Sequence, residues 1–395
     1  MLGPAGPGSG SELTGKAFPL PNESCRQETT KIKNVARECP HDSPGRASPL
    51  SSTWRAETLR EGVMRTMPAP LRRYLTVIST GILLAPLIST AFPASAVASH
   101  VSCGETITTD TTLDSDLVNC PNNGIVIGAS DITLDLNGHT IDGNDALVDP
   151  CPEDEFCDVG VANDDHNNVR VIDGTVTEFA FGVYLFGARE NALRDLATIE
   201  IVFSGIILVD SARTRVRGNT TSRNAGPDSG VGMTLFSSHN NRIIDNTSAD
   251  NAELGIHLIR SDRNHIGRNR VRRNPEDRII LEGDRNRIVR NRLVGNSIGV
   301  TTFTGGERSV GNVVRRNQVR RAPRAGIYAS PPTRAVIRRN HVFGAGADGI
   351  SVGSSRTTLT RNEARNNGRL GINAVAGVID GGGTGLAGTG IRASV

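Results

Sequence analysis

Asn264-His-Ile-Gly-Arg-Asn269-Arg-Val-Arg-Arg-Asn274 and Asn286-Arg-Ile-Val-Arg-Asn291-Arg-Leu-Val-Gly-Asn296 carry one pattern twice. In each, Asn recurs every five residues and an aliphatic residue stands two places after the first two. The full unit, N-x-[IV]-x-x-N-x-[VL]-x-x-N followed by G-[IV]-x-[LV], returns every 22 to 27 residues from about residue 167. Its central Asn is Asn219, Asn246, Asn269, Asn291, Asn317, Asn340 and Asn362. A second follows in five units, as Asn224, Asn251, Asn274, Asn296 and Asn367. Self-similarity at a fixed period of this length is the signature of a solenoid.

The apolar pieces of the unit decide which solenoid. VRVID, GVYLF, NRIID, GIHLI and GISVG alternate with the period of a strand, and helical spacing is missing. The L-x-x-L-x-L spacing of leucine-rich repeats is absent as well. Gly and Asn punctuate the strands, so the turns are expected to use positive φ or side-chain hydrogen bonds. Three short strands per unit, stacked as parallel sheets about 4.8 Å apart, satisfy all of this. A turn Asn can then bond its equivalents above and below, which makes these asparagines structural rather than catalytic. Composition agrees: 44 Gly, but only one Trp, three Tyr and ten Phe in 395 residues, suits many small units better than one large core.

These repeats, with the entry segment Gly124-Ile125-Val126-Ile127 and Asp131-Ile-Thr-Leu-Asp-Leu-Asn-Gly-His-Thr-Ile141, resemble the right-handed parallel β-helix proteins of the pectin-lyase-like superfamily. Within it they look most like secreted bacterial proteins related to the NosD family. The resemblance covers roughly residues 103–383 and implies an all-β solenoid of about ten rungs. It says little about function, because one fold hosts many chemistries. NosD kinship would imply a role in copper delivery. Copper sites gather His, Met or Cys, whereas beyond residue 98 Met233 is the one Met, and His239, His257 and His265 fall at different places in the repeat.

Before the repeats lies a different kind of sequence. Residues 64–98 read as a secretory signal peptide: Arg72 and Arg73, an apolar run from Leu75 to Ile88, then small residues up to Ala98. Residues 1–63 are rich in Pro, Gly, Ser and charge, and are expected to be a disordered extension or the product of a wrongly assigned start. The β-helix is assigned to 99–383 and a Gly-rich tail to 384–395. An exported, envelope or extracellular location follows, with no membrane span once the signal is cleaved. The four cysteines beyond the signal then suggest two disulfides, with Cys103–Cys120 and Cys151–Cys157 favoured among three pairings.

Charge is segregated along the chain. Residues 99–200 hold 20 Asp/Glu against 3 Arg, and residues 201–395 hold 14 against 30. The residue before the central Asn is Arg268, Arg290, Arg316, Arg339 and Arg361 in five successive units. Stacked like charges repel unless solvated or countered, and Arg suits carboxylate, sulfate or phosphate groups. The alternative is that these side chains simply splay into water. A second column, the x of G-[IV]-x-[LV], is expected to face outward as Tyr184, Ile207, Thr234, His257, Ile280, Thr301, Tyr328, Ser351 and Asn373. Phe186, Phe236, Glu282 and Phe303 form the next column. A sugar chain could lie along that face.

The candidate contacts are therefore Tyr184, His257, Tyr328, Glu282 and the five arginines, and the expected partner is a polysaccharide or other anionic polymer, not nucleic acid. A binding protein is favoured over an enzyme. A lyase or epimerase acting on uronic-acid polymers would need convergent acids with a neighbouring base, and a hydrolase two or three carboxylates at fixed separation. Asp164, Asp165 and Asp173, with His166 beside them, are the acids at hand, and the only cofactor they leave open is calcium; Asp210, Glu282 and Asp284 stand more suggestively after the outward strand but rungs apart. A third reading makes the solenoid a rigid surface spacer.

Overall fold

The computed structural model describes residues 100–146, 157–226, 229–275, 278–301, 309–383, 385–387 and 391–393. The proposed signal peptide, the segment before it, and Cys151 lie outside them. Each turn of the chain lays down three short strands. In the turn that carries Asn246 these are Val231–Phe236, Arg242–Ile244 and Thr247–Ala249. Equivalent strands stack in parallel from rung to rung: Met233 pairs with Ile256, Ile243 with Ile266, and Ser248 with Val271. Three sheets result, here sheets 1, 2 and 3 in chain order, and sheet 1 alone has thirteen strands among the described residues. The architecture is the right-handed parallel β-helix that the repeat predicts.

Alternation drives the winding, because every second residue of each strand points into the coil. Leu235, Leu258, Leu281 and Val300 stack in sheet 1, Ile243, Ile266, Ile288, Val314 and Ile337 in sheet 2, and Val271, Leu293, Val319 and Val342 in sheet 3, all within the core. Each such side chain contributes about 1.5–3 kcal/mol by leaving water. Since aliphatic residues meet like residues on adjacent rungs, the core needs few aromatics.

The corners explain the asparagines. Along the corner between sheets 2 and 3, the Oδ1 of each central Asn accepts the backbone N–H of the preceding rung's Asn. The distances are 2.9 Å for Asn219 to Asn246, Asn246 to Asn269, Asn269 to Asn291 and Asn291 to Asn317. Their Nδ2 groups donate to core-facing carbonyls, as Asn291 does to Ile266 at 2.9 Å. The first Asn of the unit forms a second ladder through Asn241, Asn264, Asn286 and Asn312, with N–H to Oδ1 distances of 2.7–2.8 Å. The third ladder, Asn224–Asn251–Asn274, gives way to Ala322 and Ala345 in later rungs. Ser211, Ser238 and Ser261 add a fourth. Positive φ, however, does not fall on the ladder asparagines. It falls on the residue before them, which at the corner between sheets 2 and 3 is Gly218, Asp245 and then the five arginines; Asp173 and Asp195, before Gly174 and Leu196, make the same bend in the earlier rungs. The Asn must keep a conformation that aims its amide along the stack, so its neighbour makes the bend.

At the N-terminal end Cys103 and Cys120 are bridged, with Cα atoms 5.3 Å apart. At the other end Gly385–Ala387 pairs with Glu363–Arg365, and Ile391–Ala393 pairs with Ile372–Ala374. Strand pairing thus runs on into the segment read from the sequence as a tail. Among the described residues no helix is long and apolar enough to cross a membrane.

Candidate functional site

Arg268, Arg290, Arg316, Arg339 and Arg361 stand one above another at the corner between sheets 2 and 3, each exposed and each left-handed, with φ of 55, 59, 55, 54 and 50°. Backbone bonds tie the corner together, from Arg290 N to Arg315 O and from Arg316 N to Arg338 O, both 3.1 Å. The outer face of sheet 2 adds Arg287, Arg315 and Arg338, and that of sheet 3 adds Arg270, Arg292 and Arg320. Only the first rung of the ladder is neutralised. Arg268 holds Asp245 through two bonds, Nε–Oδ1 at 2.6 Å and NH2–Oδ2 at 2.7 Å, which pulls the Asp245 carboxyl below its usual range. Asp250 pairs with Arg273 in the same way. Among the described residues Arg290, Arg316, Arg339 and Arg361 have no acidic partner.

Crowding is most acute at Arg315. Burial, then the charges of Arg287, Arg338, Arg316 and Arg290, lower its affinity for its own proton, and its Nε is buried without a hydrogen-bond partner. His265 is pushed down for similar reasons: burial first, then Arg242, Arg287, Arg268 and Arg315. This corner is a built positive field. It attracts anions and repels metal cations.

The sheet 1 face differs from the sequence reading. The column runs Tyr184, Ile207, Thr234, His257, Ile280, Gly299 and Tyr328. Thr301 is not in it but pairs with Glu282, a shift of two residues, and Phe303 lies outside the described residues. Tyr184 and Ile207 are buried at 2% and 3% exposure, inside a cluster with Val159, Ala162 and Val209 that packs against Phe181, Phe186 and Phe236. Phe181 meets Tyr184 edge-on at 5.4 Å. The expected open groove is therefore not open at these rungs, because an apolar outer column has packed into a second small core. His257 is partly exposed, and desolvation takes its pKa down to about 4. Tyr328 is 40% exposed. Three rungs, roughly 14 Å, separate each of these three residues from the next, so Tyr184, His257 and Tyr328 do not form one site. Glu282 lies in the neighbouring column.

The acids also sort differently. Asp173 bends at the corner between sheets 2 and 3, whereas Asp164 and Asp165 close sheet 1, so the three do not share a turn. Instead Asp165, Gly187, Asp210, Ser237 and Arg260 follow one another at the corner after sheet 1. The Asp165 carboxylate fills the space a Gly187 side chain would need. Burial raises the Asp210 carboxyl while His239 and Arg260 lower it, and burial with Asp165 raises Asp164. Sequence reasoning singled out Asp165 and Asp210 but did not join them into one column, because the strand before it carries different residues in each rung. The only signal was the constant step from the G-[IV]-x-[LV] strand.

A family model described as periplasmic copper-binding protein (NosD) matches residues 103–306. The chain belongs to the NosD family. Comparison with the curated proteins gives no match. Among solved structures, the catalytic domain of a GH87 alpha-1,3-glucanase in complex with nigerose superposes with a TM-score of 0.52 at 14% identity, over 71% of this chain and 63% of that one. The DFA-IIIase from Arthrobacter chlorophenolicus gives 0.47 at 15% identity, over 62% and 71%. The periplasmic alginate epimerase AlgG gives 0.43 at 15% identity, over 65% and 72%. The chain spans less than two thirds of the glucanase domain, and at such identity the likeness concerns the fold.

The copper in the family's description finds no donor set here. Among the described residues no three His, Cys, Asp or Glu converge on one point. Met233 is buried in the core, Cys103 and Cys120 are bridged, and four arginines act on His265. A soft cation needs thiolate, thioether or imidazole ligands gathered together, and these residues do not provide them.

Proposed function

We propose that this NosD-family β-helix is an exported protein that binds an anionic polysaccharide of the cell envelope or its surroundings along the corner between sheets 2 and 3. The observation that carries the reading is the run Arg290–Arg316–Arg339–Arg361, exposed and without acidic partners among the described residues. Two costs are accepted there. A non-Gly residue in the left-handed region costs roughly 1 kcal/mol or more per residue, and Gly218 makes the same bend without it. Neighbouring guanidinium groups also repel. A linear polymer with an acid on each sugar would meet one arginine per rung. The fold accommodates sugars elsewhere: the glucanase domain of the same architecture holds nigerose.

A specific observation favours a second reading. Burial first, then the charges of Asp210 and Asp164, push the Tyr184 hydroxyl up, and burial raises Asp210 while His239 and Arg260 lower it; these are group types a lyase or epimerase of uronic-acid polymers would use. A screen of the protein against arrayed glycans, at low and high salt and with and without calcium, tests both. Salt-sensitive retention of polyuronates or sulfated glycans without change in the polymer supports binding. Appearance of unsaturated or epimerised products moves the assignment to the acidic corner. No binding to any glycan leaves the spacer reading.

A further inference from the structure

Beyond the ladder, sheet 2 has a second basic feature at its opposite edge. A cavity of about 510 Å³ opens at the corner between sheets 1 and 2, lined by Pro331, Pro332, Arg334, Gly353, Ser354, Ser355, Arg356 and Val375. Small-molecule sites run from about 300 to 1,000 Å³, so its size suits one or two sugar rings. Arg334 and Arg356 are both exposed, and among the described residues neither has an ion-pair partner. Among the described residues no carboxylate lines the cavity. Backbone bonds fix both arginines in place, from Arg334 N to Ser309 O at 3.0 Å and from Arg356 N to Gly377 O at 2.7 Å. The walls are of two kinds. Pro331, Pro332 and Val375, the last 37% exposed, give a rigid apolar side, and Ser355 adds an exposed hydroxyl.

We infer that this cavity is a binding site for an acidic sugar, with Arg334 and Arg356 holding its carboxylate or sulfate and the proline wall facing the ring. Two guanidinium groups with no acid between them among the described residues select an anion, and the mix of apolar wall and hydroxyl selects a sugar ring over a bare inorganic ion. The choice of a sugar acid rests on the anionic-polysaccharide reading above. The strand Arg334–Arg338 links the two features: its first residue lines the cavity and its last lies on the ladder side, with Val336 between them. Four residues of strand span about 13 Å. The cavity thus sits where the end of a polymer chain, or a free sugar acid, could be held apart from the polymer's main run.

The test titrates glucuronate, galacturonate and glucose 6-sulfate, with neutral glucose as control, into the isotope-labelled protein by NMR, and measures polygalacturonate binding in parallel. Three forms are compared with the wild type: Arg334→Ala/Arg356→Ala, the cavity-filling Ser355→Trp, and the ladder variant Arg290→Gly/Arg316→Gly/Arg339→Gly. The expected result is saturable binding of the acidic monosaccharides but not glucose. It weakens at least tenfold in both cavity variants and is unchanged in the ladder variant. Failure of all three acids to bind, or binding that both cavity variants leave intact, overturns the inference. If polygalacturonate still binds in that case, the ladder reading survives alone. Monosaccharide binding without polymer binding sinks the ladder reading and keeps the cavity. Polymer binding lost only with the cavity variants marks the chain end as the ligand, and polymer binding indifferent to them marks the free sugar acid.

Discussion

Replacing Asn291 with Ala removes four hydrogen bonds from the interior of the corner between sheets 2 and 3. The Asn291 Oδ1 accepts from the Asn269 backbone N–H at 2.9 Å and from the Asn269 Nδ2 at 3.0 Å. Its Nδ2 donates to the Ile266 carbonyl at 2.9 Å and to the Asn317 Oδ1 at 3.0 Å. Both Asn269 and Asn291 are 1% exposed, so water does not replace these bonds without entering the stack. At a net value of about 1 kcal/mol per bond, the loss is about 4 kcal/mol. Asn291→Asp separates donors from acceptors. The carboxylate keeps both acceptor bonds but turns an oxygen toward the Ile266 carbonyl and the Asn317 Oδ1. It is expected to cost at least as much at neutral pH, and to recover on acidification as the buried carboxyl regains a proton to donate. Arg292→Ala, at an exposed position in the same rung, sets the background at under about 0.5 kcal/mol. Urea unfolding followed by circular dichroism measures all three, and the slope of each transition reports whether one rung melts apart from the others. A loss below about 1 kcal/mol for Asn291→Ala, or one equal to that of Arg292→Ala, would refute the claim that the amide ladder holds the corner.

The ladder variant Arg290→Gly/Arg316→Gly/Arg339→Gly is expected to lose polyanion binding at least tenfold. It should melt no lower than wild type, because Gly relieves a left-handed strain of roughly 1 kcal/mol per site; a lower melting temperature would show that the arginines serve the fold. Asp158, 3% exposed, has its pKa raised to about 6 by burial, then by Asp145 against a bond from the Ala180 amide. Its ionised form therefore costs stability above that pKa, and Asp158→Asn should stabilise the protein at pH 7 by up to about 3 kcal/mol and not at pH 4. A gain that is the same at both pH values would contradict this. His257 is depressed instead, so the unfolded chain takes its proton first and stability is lost as pH falls from 6.5 toward 4. Thermal melts of His257→Gln should show a flatter acid limb, by at most about 3 kcal/mol and less where water screens the ring.

The fold was legible because each of its causes recurs. Asn219 to Asn362 announce the corner, and the aliphatic alternation announces the strands, so errors at one unit are corrected by the others. What resisted reading was whatever occurs once. The outward column slipped by two residues at Thr301, where Gly299 takes the place beside Ile280 and Tyr328, because the strand Ser297–Thr301 puts its glycine where other units put a side chain. Tyr184 was expected on an open face and is buried, since alternation tells inside from outside but not whether the outside is covered. The cavity at Pro331 and Arg356 draws on three separate rungs, none of which is unusual alone. The Arg ladder was visible because, like the fold, it repeats.

That corner column carries the functional argument furthest. Between Asp173 and Arg361 it reads Asp173, Asp195, Gly218, Asp245, Arg268, Arg290, Arg316, Arg339 and Arg361, every member with positive φ. Backbone geometry is therefore constant along it, and only charge changes. Where the sign changes, the pair Asp245 and Arg268 satisfies both partners. Past that boundary nothing in the described structure neutralises the next four arginines, and like unit charges at rung spacing repel by about 1 kcal/mol per pair even in water. Folding alone would be served better by Gly, Asn or Asp at each of these bends. On the proposed reading, an anionic chain laid along this corner would offset the repulsion, and it would stabilise the protein because whatever binds only the folded form does so.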